Sequence, residues 1–236
     1  MMSRLGTAVV AVLVAGGAAA RSNSAIADAG RNYDLESATR ILAELDPEAR
    51  PRLVIDAALL VAELERIEFE QTPTSEGVAR REIGERIDAA ARRGLDLVEL
   101  LAESSESWRL RADLIGTLIR SKYRGKRHKA RMERASATAI ELDRTNAKAY
   151  VSAAKPDVLK PGRERPDIEK GLALIQRALE LDPELESALL LRGHALWELG
   201  DQAQARASWT QALSLNPACR PAEQWLESGP PENPRL

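Results

Sequence analysis

The 236-residue sequence contains few of the residues that hold metals, form disulfides or carry out acid–base chemistry. Its single cysteine, Cys219, excludes an intramolecular disulfide and a cysteine-based metal cage. The two histidines, His128 and His194, lie in different segments and lack the His-x-x-x-His spacing of a zinc site. No glycine-rich loop follows a strand pattern, so the nucleotide-binding fingerprints are missing as well. These absences predict a protein that is not an enzyme and that uses no cofactor and no metal.

Aromatic residues make up only 3% of the chain, and the formal net charge is −2. This balance gives no whole-chain case for binding nucleic acid or an acidic membrane, so any such surface must be local. Hydrophobic residues nevertheless reach 44%, which argues against disorder. Ala, Leu, Glu and Arg are abundant and favour helices, so we expect an all-α fold with almost no strand.

Residues 1–27 differ from the rest of the chain. Arg4 gives a short positive start, residues 5–20 form an uncharged apolar run, and Ala18-Ala19-Ala20 or Ala25-Ile26-Ala27 has the small-x-small pattern of a cleavage site. This segment predicts a cleaved signal peptide and a periplasmic or secreted mature chain. The alternative is an N-terminal membrane anchor formed by residues 5–20, although that run is short for a spanning helix.

The clearest pattern lies in residues 186–217, which predict two helices joined by a tight turn. Gly200 suits the left-handed residue that ends the first helix, Asp201 can cap the second, and Pro217 stops it. Small and large apolar residues then alternate where the two helices must touch: Leu189, Gly193, Leu196, Ala205, Trp209 and Ala212. Neither helix can bury its apolar side alone, so the unit must stack on others.

This unit resembles the tetratricopeptide repeat, whose pattern is W-x2-L-G-x2-Y, then A-x3-F, then P. The corresponding positions hold Leu189, Arg192, Gly193, Leu196, Ala205, Trp209 and Pro217. Arg192 departs from the Leu of the pattern and leucine replaces both aromatic residues of the first helix, but the spacing is intact. The resemblance implies antiparallel helix-turn-helix repeats stacked as an α-solenoid, and a non-catalytic scaffold that binds a protein or extended peptide.

The remaining chain predicts further helices and weaker repeats. We expect helices at residues 24 or 29 to 45, 50–71, 76–103 with a break at Gly94, 107–123, 126–142, 147–154 and 167–181. Three prolines make residues 155–166 an extended insertion. Residues 28–103 are thus a divergent helical region, 104–220 the repeats, and 221–236 a capping helix with a disordered tail. The insertion within one unit also resembles extracytoplasmic transport-accessory repeat proteins and the regulator of microtubule dynamics family.

The repeat resemblance implies a binding groove, because the first helix of each pair lines the concave surface of such arrays. Ser187, Leu190, His194 and Trp197 take these positions in the last unit, and Lys148, Val151 and Lys155 take them in the preceding one. The family's clamp for a terminal carboxylate needs asparagines, and these positions have none. Trp197 is alternatively an ordinary core residue.

A basic run spans the junction between the predicted helices at residues 107–123 and 126–142: Arg120, Lys122, Arg124, Lys126, Arg127, Lys129, Arg131 and Arg134, opposed locally only by Glu133. One interpretation is a solvated turn between helices. The other is a patch for an acidic protein or anionic lipid headgroups, with peripheral membrane association.

Two functions therefore remain open. The first is a protein-interaction scaffold with an open groove lined by Trp197, His194 and Lys148. The second is a small-molecule or lipid-binding accessory protein, whose helices enclose an apolar cavity.

Overall fold

The computed structural model describes residues 22–159 and 164–230, and within these ranges the chain is helical and has no strand. The predicted signal peptide falls almost entirely in residues 1–21, and the predicted tail largely in 231–236, both outside the described residues. The helices are α1 (residues 22–31), α2 (Leu35–Glu44), α3 (Pro51–Gln71), α4 (Gly77–Val98), α5 (Ser105–Thr117), α6 (Lys122–Leu142), α7 (Ala147–Leu159), α8 (Arg165–Leu181), α9 (Glu186–Glu198), α10 (Gln202–Leu215) and α11 (Arg220–Ser228). None of the described helices is long and apolar enough to cross a membrane.

Successive helices pack as pairs, and the pairs stack as the α-solenoid that the sequence predicts. The pairs are α3 with α4, α5 with α6, α7 with α8, and α9 with α10. Each pair also contacts the next one through α4 and α5, α6 and α7, and α8 and α9. The helix α11 covers the last pair through α10, as the predicted capping helix would.

The predicted turn and core of the last unit are confirmed. Gly200 has a φ of 88°, and the Asp201 side chain accepts a hydrogen bond of 3.0 Å from the backbone nitrogen of Gln204. Trp209 is 0% exposed, and its indole nitrogen donates to the backbone oxygen of Leu190 at 3.3 Å. A side chain at Gly193 would collide with this indole, so glycine is what allows α9 and α10 to approach so closely.

The N-terminal region differs from the prediction at two positions, Tyr33 and Gly94. The single helix expected up to residue 45 is broken at Tyr33, whose φ is 53°, and Asp34 then caps α2 by accepting a hydrogen bond of 2.9 Å from the Ser37 nitrogen. The break expected at Gly94 is wrong. A Cβ at Gly94 would lie 2.8 Å from Leu114 of α5, so this glycine provides a close helix contact inside a continuous α4.

The predicted extended insertion is also partly wrong, because α7 continues through Pro156 to Leu159. Two contacts hold this last turn in place. Val158 is buried against Gly171 of α8, and the Asp157 carboxylate lies 2.8 Å from the Lys170 ammonium group. Packing onto α8 therefore outweighs the helix-breaking tendency of the proline. Residues 160–163 lie outside the described residues.

Candidate functional site

The N-terminal helices contact the last repeat through a small set of polar groups, which we call the end-to-end contact: Tyr33, Glu186 and Asn216. The Tyr33 hydroxyl donates to Glu186 Oε1 at 2.6 Å, and Asn216 Nδ2 donates to Glu186 Oε2 at 2.9 Å and to the backbone oxygen of Arg31 at 3.1 Å. Burial, with Cys219 and Glu186 nearby, raises the pKa of Tyr33 far above its usual value, so the hydroxyl remains a donor. The two ends of the helical array are thereby joined.

Cys219 lies beneath the end-to-end contact, with its sulfur 3.3 Å from the Tyr33 hydroxyl. Burial raises the pKa of this thiol to about 11, so it stays protonated at neutral pH. Because the thiolate is the reactive form of cysteine, Cys219 behaves as a packing residue here.

A groove of about 430 Å³ lies beside the end-to-end contact, between α3 on one wall and α9 with α11 on the other. Most of its lining is apolar, and it consists of Leu60, Leu64, Ile67, Leu159, Leu185, Leu190, Pro221 and Trp225, together with Gly30, Tyr33, Ser187 and His194. Its charged residues are Glu63, Arg66, Glu70, Lys155 and Glu186. The groove thus combines an apolar surface with charges of both signs.

Of the seven residues predicted to line a groove, the structure places four on this one: Lys155, Ser187, Leu190 and His194. His194 is 0% exposed, so it lies beneath the groove surface, where its ring centroid is 5.9 Å from that of Trp225. Lys148 is exposed but does not line this groove.

The groove assignments of Val151 and Trp197 are wrong. Val151 is only 4% exposed and belongs to the core between the helix pairs. The Trp197 ring packs 5.7 Å from that of Trp209, and the backbone of Gly229 lies against its outer side. The segment after α11 therefore covers Trp197. The tryptophan on the groove is Trp225, whose position depends on how α11 folds back and could not be obtained from repeat spacing.

Lys155 belongs to a buried charge network rather than to a free cation site. Its ammonium group lies 2.8 Å from Asp113 and 3.6 Å from Glu63, and Asp113 also contacts Arg109 at 2.5 Å. Burial alone would raise the pKa of Asp113, but Lys155 and Arg109 outweigh it and hold that pKa below its usual value. For Lys155, burial alone would lower the pKa. Asp113 and Glu63 outweigh burial and raise that pKa above its usual value. Both groups are therefore charged at neutral pH.

The remaining groove charges leave an excess of carboxylate. Arg66 pairs with Glu70 at 3.0 Å, and Lys155 is held by Asp113. The lining therefore contains three carboxylates and two cations. One of the cations, Lys155, is already neutralised by Asp113, which does not line the groove. We expect the groove to favour a ligand with a positive group near Glu63 or Glu186.

The basic run does not form the turn between helices that one of the two interpretations of the sequence predicted. Ser121 caps α6, whose first turns contain most of the run, including Lys122, Lys126 and Lys129. Arg120 is wrongly included in a surface patch, because it is buried with its guanidinium 2.6 Å from Asp88. Arg124 also contacts Asp88 at 2.9 Å.

The other members of the run differ in how far they are neutralised. Lys129 lies 3.3 Å from Glu133, which offsets its charge. Lys126, Arg127, Arg131 and Arg134 are exposed. The surface patch is therefore smaller than the sequence predicts and consists mainly of exposed arginines on α6. Within the described parts of the chain, no group of three His, Cys, Asp or Glu residues could hold a metal ion.

Comparison with known proteins supports the repeat. Residues 186–219 match the family model described as tetratricopeptide repeat. No curated protein sequence matches the chain. Among solved structures, the chain is similar to the crystal structure of YrrB, a tetratricopeptide repeat protein with an unusual peptide-binding site, at 12% identity, 80% coverage of this chain, 84% coverage of that chain and a TM-score of 0.42. Residues 186–219 of this chain are therefore a tetratricopeptide repeat, which ends a stack of helix pairs.

Proposed function

We propose that the protein is a non-catalytic scaffold that binds an extended peptide segment of a partner protein in the groove between α3 and α9 with α11. Tetratricopeptide repeats typically serve as protein-interaction scaffolds. The observation that carries the proposal is the apolar lining of the groove, to which Ile67, Leu190 and Trp225 all contribute. Such a surface suits an inserted apolar side chain, which is the usual anchor of a peptide complex.

The groove charges define the peptide further. Arg66 pairs with Glu70, and Lys155 lies closer to Asp113 (2.8 Å) than to Glu63 (3.6 Å), so a positive side chain of the peptide would share Glu63 with Lys155 or approach Glu186. We therefore expect a peptide with an apolar anchor next to a lysine or arginine. An acidic peptide or a terminal carboxylate would instead be repelled by the excess of glutamate.

Selection from a displayed library of random peptides tests this proposal. We expect enrichment of sequences that pair a large apolar residue with a basic one, and a loss of affinity of at least about tenfold, or 1.4 kcal/mol, in Leu190→Glu. The matched control is Leu142→Glu, which introduces the same charge at a leucine that is 52% exposed on α6. Enrichment of acidic peptides, or equal binding by Leu190→Glu, would contradict the proposal.

A small-molecule or lipid-binding accessory protein is the second candidate, and the end-to-end contact favours it. Tyr33 and Asn216 join the N-terminal helices to the last repeat beside a groove of about 430 Å³, a volume in the range of small-molecule sites. Displacement of an environment-sensitive apolar dye separates the two candidates. Displacement by a long-chain amine or fatty acid, and by none of the selected peptides, would favour the accessory protein.

We further propose that the mature chain works outside the cytoplasm, in the periplasm or as a secreted protein. The charged start, apolar run and small-x-small sites of residues 1–27 support this location. Membrane anchoring by residues 5–20 is the alternative. A reporter fused after residue 27 tests both, since export places its activity outside the cytoplasm, and fractionation then separates a soluble product from an anchored one.

A further inference from the structure

A second pocket, of about 560 Å³, lies between α4 and α6 and away from the peptide groove. It is lined by Arg92, Leu95, Asp96, Glu99, Leu118, Tyr123, Arg124, Arg127, His128 and Arg131. We call it the arginine pocket, because four of these residues are arginines. The four arginines and two carboxylates leave a formal charge of +2 when His128 is neutral.

The carboxylates near the arginine pocket do not neutralise all of its arginines. Asp88 contacts Arg124 at 2.9 Å and Arg92 at 3.8 Å. In contrast, Arg127 and Arg131 form no ion pair with any residue of the described chain, and both are exposed. They lie one helical turn apart on α6, so their guanidinium groups face the pocket together. Two such groups are available for an incoming anion.

His128 lies between these arginines on α6 and lines the same pocket. Its Nδ1 atom is sealed from solvent and has no hydrogen-bond partner among the described residues. A buried polar atom of this kind costs free energy unless a partner is present. Burial, followed by Arg131, Arg127 and Arg124, lowers the pKa of His128 below 6.5, while Asp88 opposes this. From α4, Arg92 adds to the positive field, whereas Asp96 of the same helix and Glu99, its C-cap, reduce it.

We infer that the arginine pocket binds a phosphomonoester group, held by Arg127 and Arg131 with His128 as an additional hydrogen-bond partner. A phosphomonoester carries a charge of about −1.5 to −2 at neutral pH and offers three acceptor oxygens, which matches the excess charge of the pocket. Arginine binds phosphate through paired N–H groups and thus gives geometric selectivity. The pocket is larger than one phosphate, and Tyr123, which is 77% exposed, borders the remaining space for the group that the phosphate substitutes. This inference does not depend on the peptide groove.

The two histidines give each site its own reporter, because His128 lines the arginine pocket and His194 lines the groove. We would record histidine ring NMR signals of the whole protein during titration with glycerol 3-phosphate, inorganic phosphate and glycerol 3-phosphocholine, a phosphodiester. The His128 signal should shift with glycerol 3-phosphate and its pKa should rise, since a bound dianion stabilises the protonated ring. The His194 signal should not move.

Vesicle binding distinguishes the two sources of the phosphate group, a lipid headgroup and a soluble metabolite. Co-sedimentation with phosphatidic acid vesicles, whose headgroup is a phosphomonoester, and not with phosphatidylglycerol vesicles would assign the phosphate to a lipid. Binding of glycerol 3-phosphate without vesicle binding would assign it to a soluble metabolite. Either result supports the inference.

Two double variants distinguish binding by the pocket arginines from a general effect of positive charge. Arg127→Gln with Arg131→Gln should weaken glycerol 3-phosphate or phosphatidic acid binding at least about tenfold. Arg40→Gln with Arg81→Gln removes the same charge from exposed positions on α2 and α4 and should bind normally. Equal binding of the phosphodiester, equal loss in both double variants, or no His128 shift together with no vesicle binding would overturn the inference. Selected peptides that shift His194 alone would leave the groove proposal standing.

Discussion

The hydroxyl of Tyr33 donates a hydrogen bond of 2.6 Å to the carboxylate of Glu186, which lies 153 residues further along the chain. Tyr33 takes up this position because its positive φ separates α1 from α2 and turns its side chain towards the last repeat. Glu186 begins α9, where the helix dipole also favours a negative charge. One residue pair therefore joins the ends of the array and borders the proposed binding groove.

Tyr33→Phe should destabilise the fold by about 1.5–3 kcal/mol, because it removes a part-buried hydrogen bond to a carboxylate. Urea unfolding measures this loss. Tyr150→Phe is the matched control, since its hydroxyl makes an exposed hydrogen bond of 3.3 Å to the Arg144 backbone, and its loss should stay below about 0.5 kcal/mol. Equal stability of Tyr33→Phe and the wild type would show that the end-to-end contact does not hold in solution.

The Asp113 network predicts a dependence of stability on pH. The folded-state pKa of Asp113 is lowered below 3.8, so its charge stabilises the fold above that pH, and the stabilisation is lost as the pH falls through the lowered value. Asp113→Asn leaves Lys155 and Arg109 without their shared carboxylate and should cost about 3–5 kcal/mol at pH 7.

Unfolding measured between neutral and strongly acid pH checks the sign of the Asp113 effect. The difference between wild type and Asp113→Asn should be largest near neutrality and should shrink only in the acid range. Asp56→Asn is the control, because it removes a carboxylate from the partly exposed pair with Arg52, and it should cost less than about 1 kcal/mol. A difference that grows on acidification would contradict the assigned direction of the shift.

The sequence predicted those features that neighbouring residues determine by themselves. Gly200, Asp201 and Trp209 define a turn, a cap and a core contact within one helical hairpin, and all three were predicted correctly. Each depends on backbone conformation or on a partner helix only a few residues away. Local patterns therefore suffice for the repeat and for the fold class.

Contacts between distant segments explain most errors. Trp225 reaches the groove because α11 folds back, and Trp197 leaves it because Gly229 covers its ring. Likewise, Arg120 is buried rather than exposed because it pairs with Asp88, 32 residues earlier in the chain. Repeat spacing contains no information on these partners, since α11 and the N-terminal helices lie outside the repeat pattern.

Residues 22–27 contribute to the core, which bears on where a signal peptide would be cleaved. Ile26 is 8% exposed within the N-terminal core, and Ser22 accepts a hydrogen bond of 3.1 Å from Arg50. We predict cleavage after Ala20 rather than after Ala27, because the second site would remove Ile26. A chain starting at residue 28 should be less stable by about 1.5–3 kcal/mol than one starting at residue 21.

Intact mass measurement of the exported protein identifies the new N-terminus, and thermal melts compare the two truncated chains. Ile26→Ser in the longer chain is an additional variant that should reproduce most of the loss without shortening the helix. A mature protein that begins at residue 28 with undiminished stability would contradict the assigned role of Ile26.

The last prediction concerns the three tryptophans around α9. Trp209→Ala should cost about 3–5 kcal/mol, because the ring is 0% exposed and its removal leaves a cavity. Trp197→Ala should cost less, about 1–3 kcal/mol, since that ring is only partly buried against Trp209 and Gly229. The two rings touch, so the double variant should lose less than the sum of the single losses.

The effects of the tryptophan substitutions on peptide affinity should rank differently from their effects on stability. Trp225→Ala should weaken binding of a selected peptide at least about tenfold, because its ring lines the groove. Trp197→Ala should leave affinity unchanged when measured well below its melting temperature, since Gly229 and Trp209 cover its ring. Fluorescence anisotropy of a labelled peptide measures both. If Trp197→Ala instead abolished binding while Trp225→Ala did not, the peptide would have to contact Trp197 rather than the Trp225 side of α9, and the groove beside Tyr33 and Glu186 would lose its proposed role.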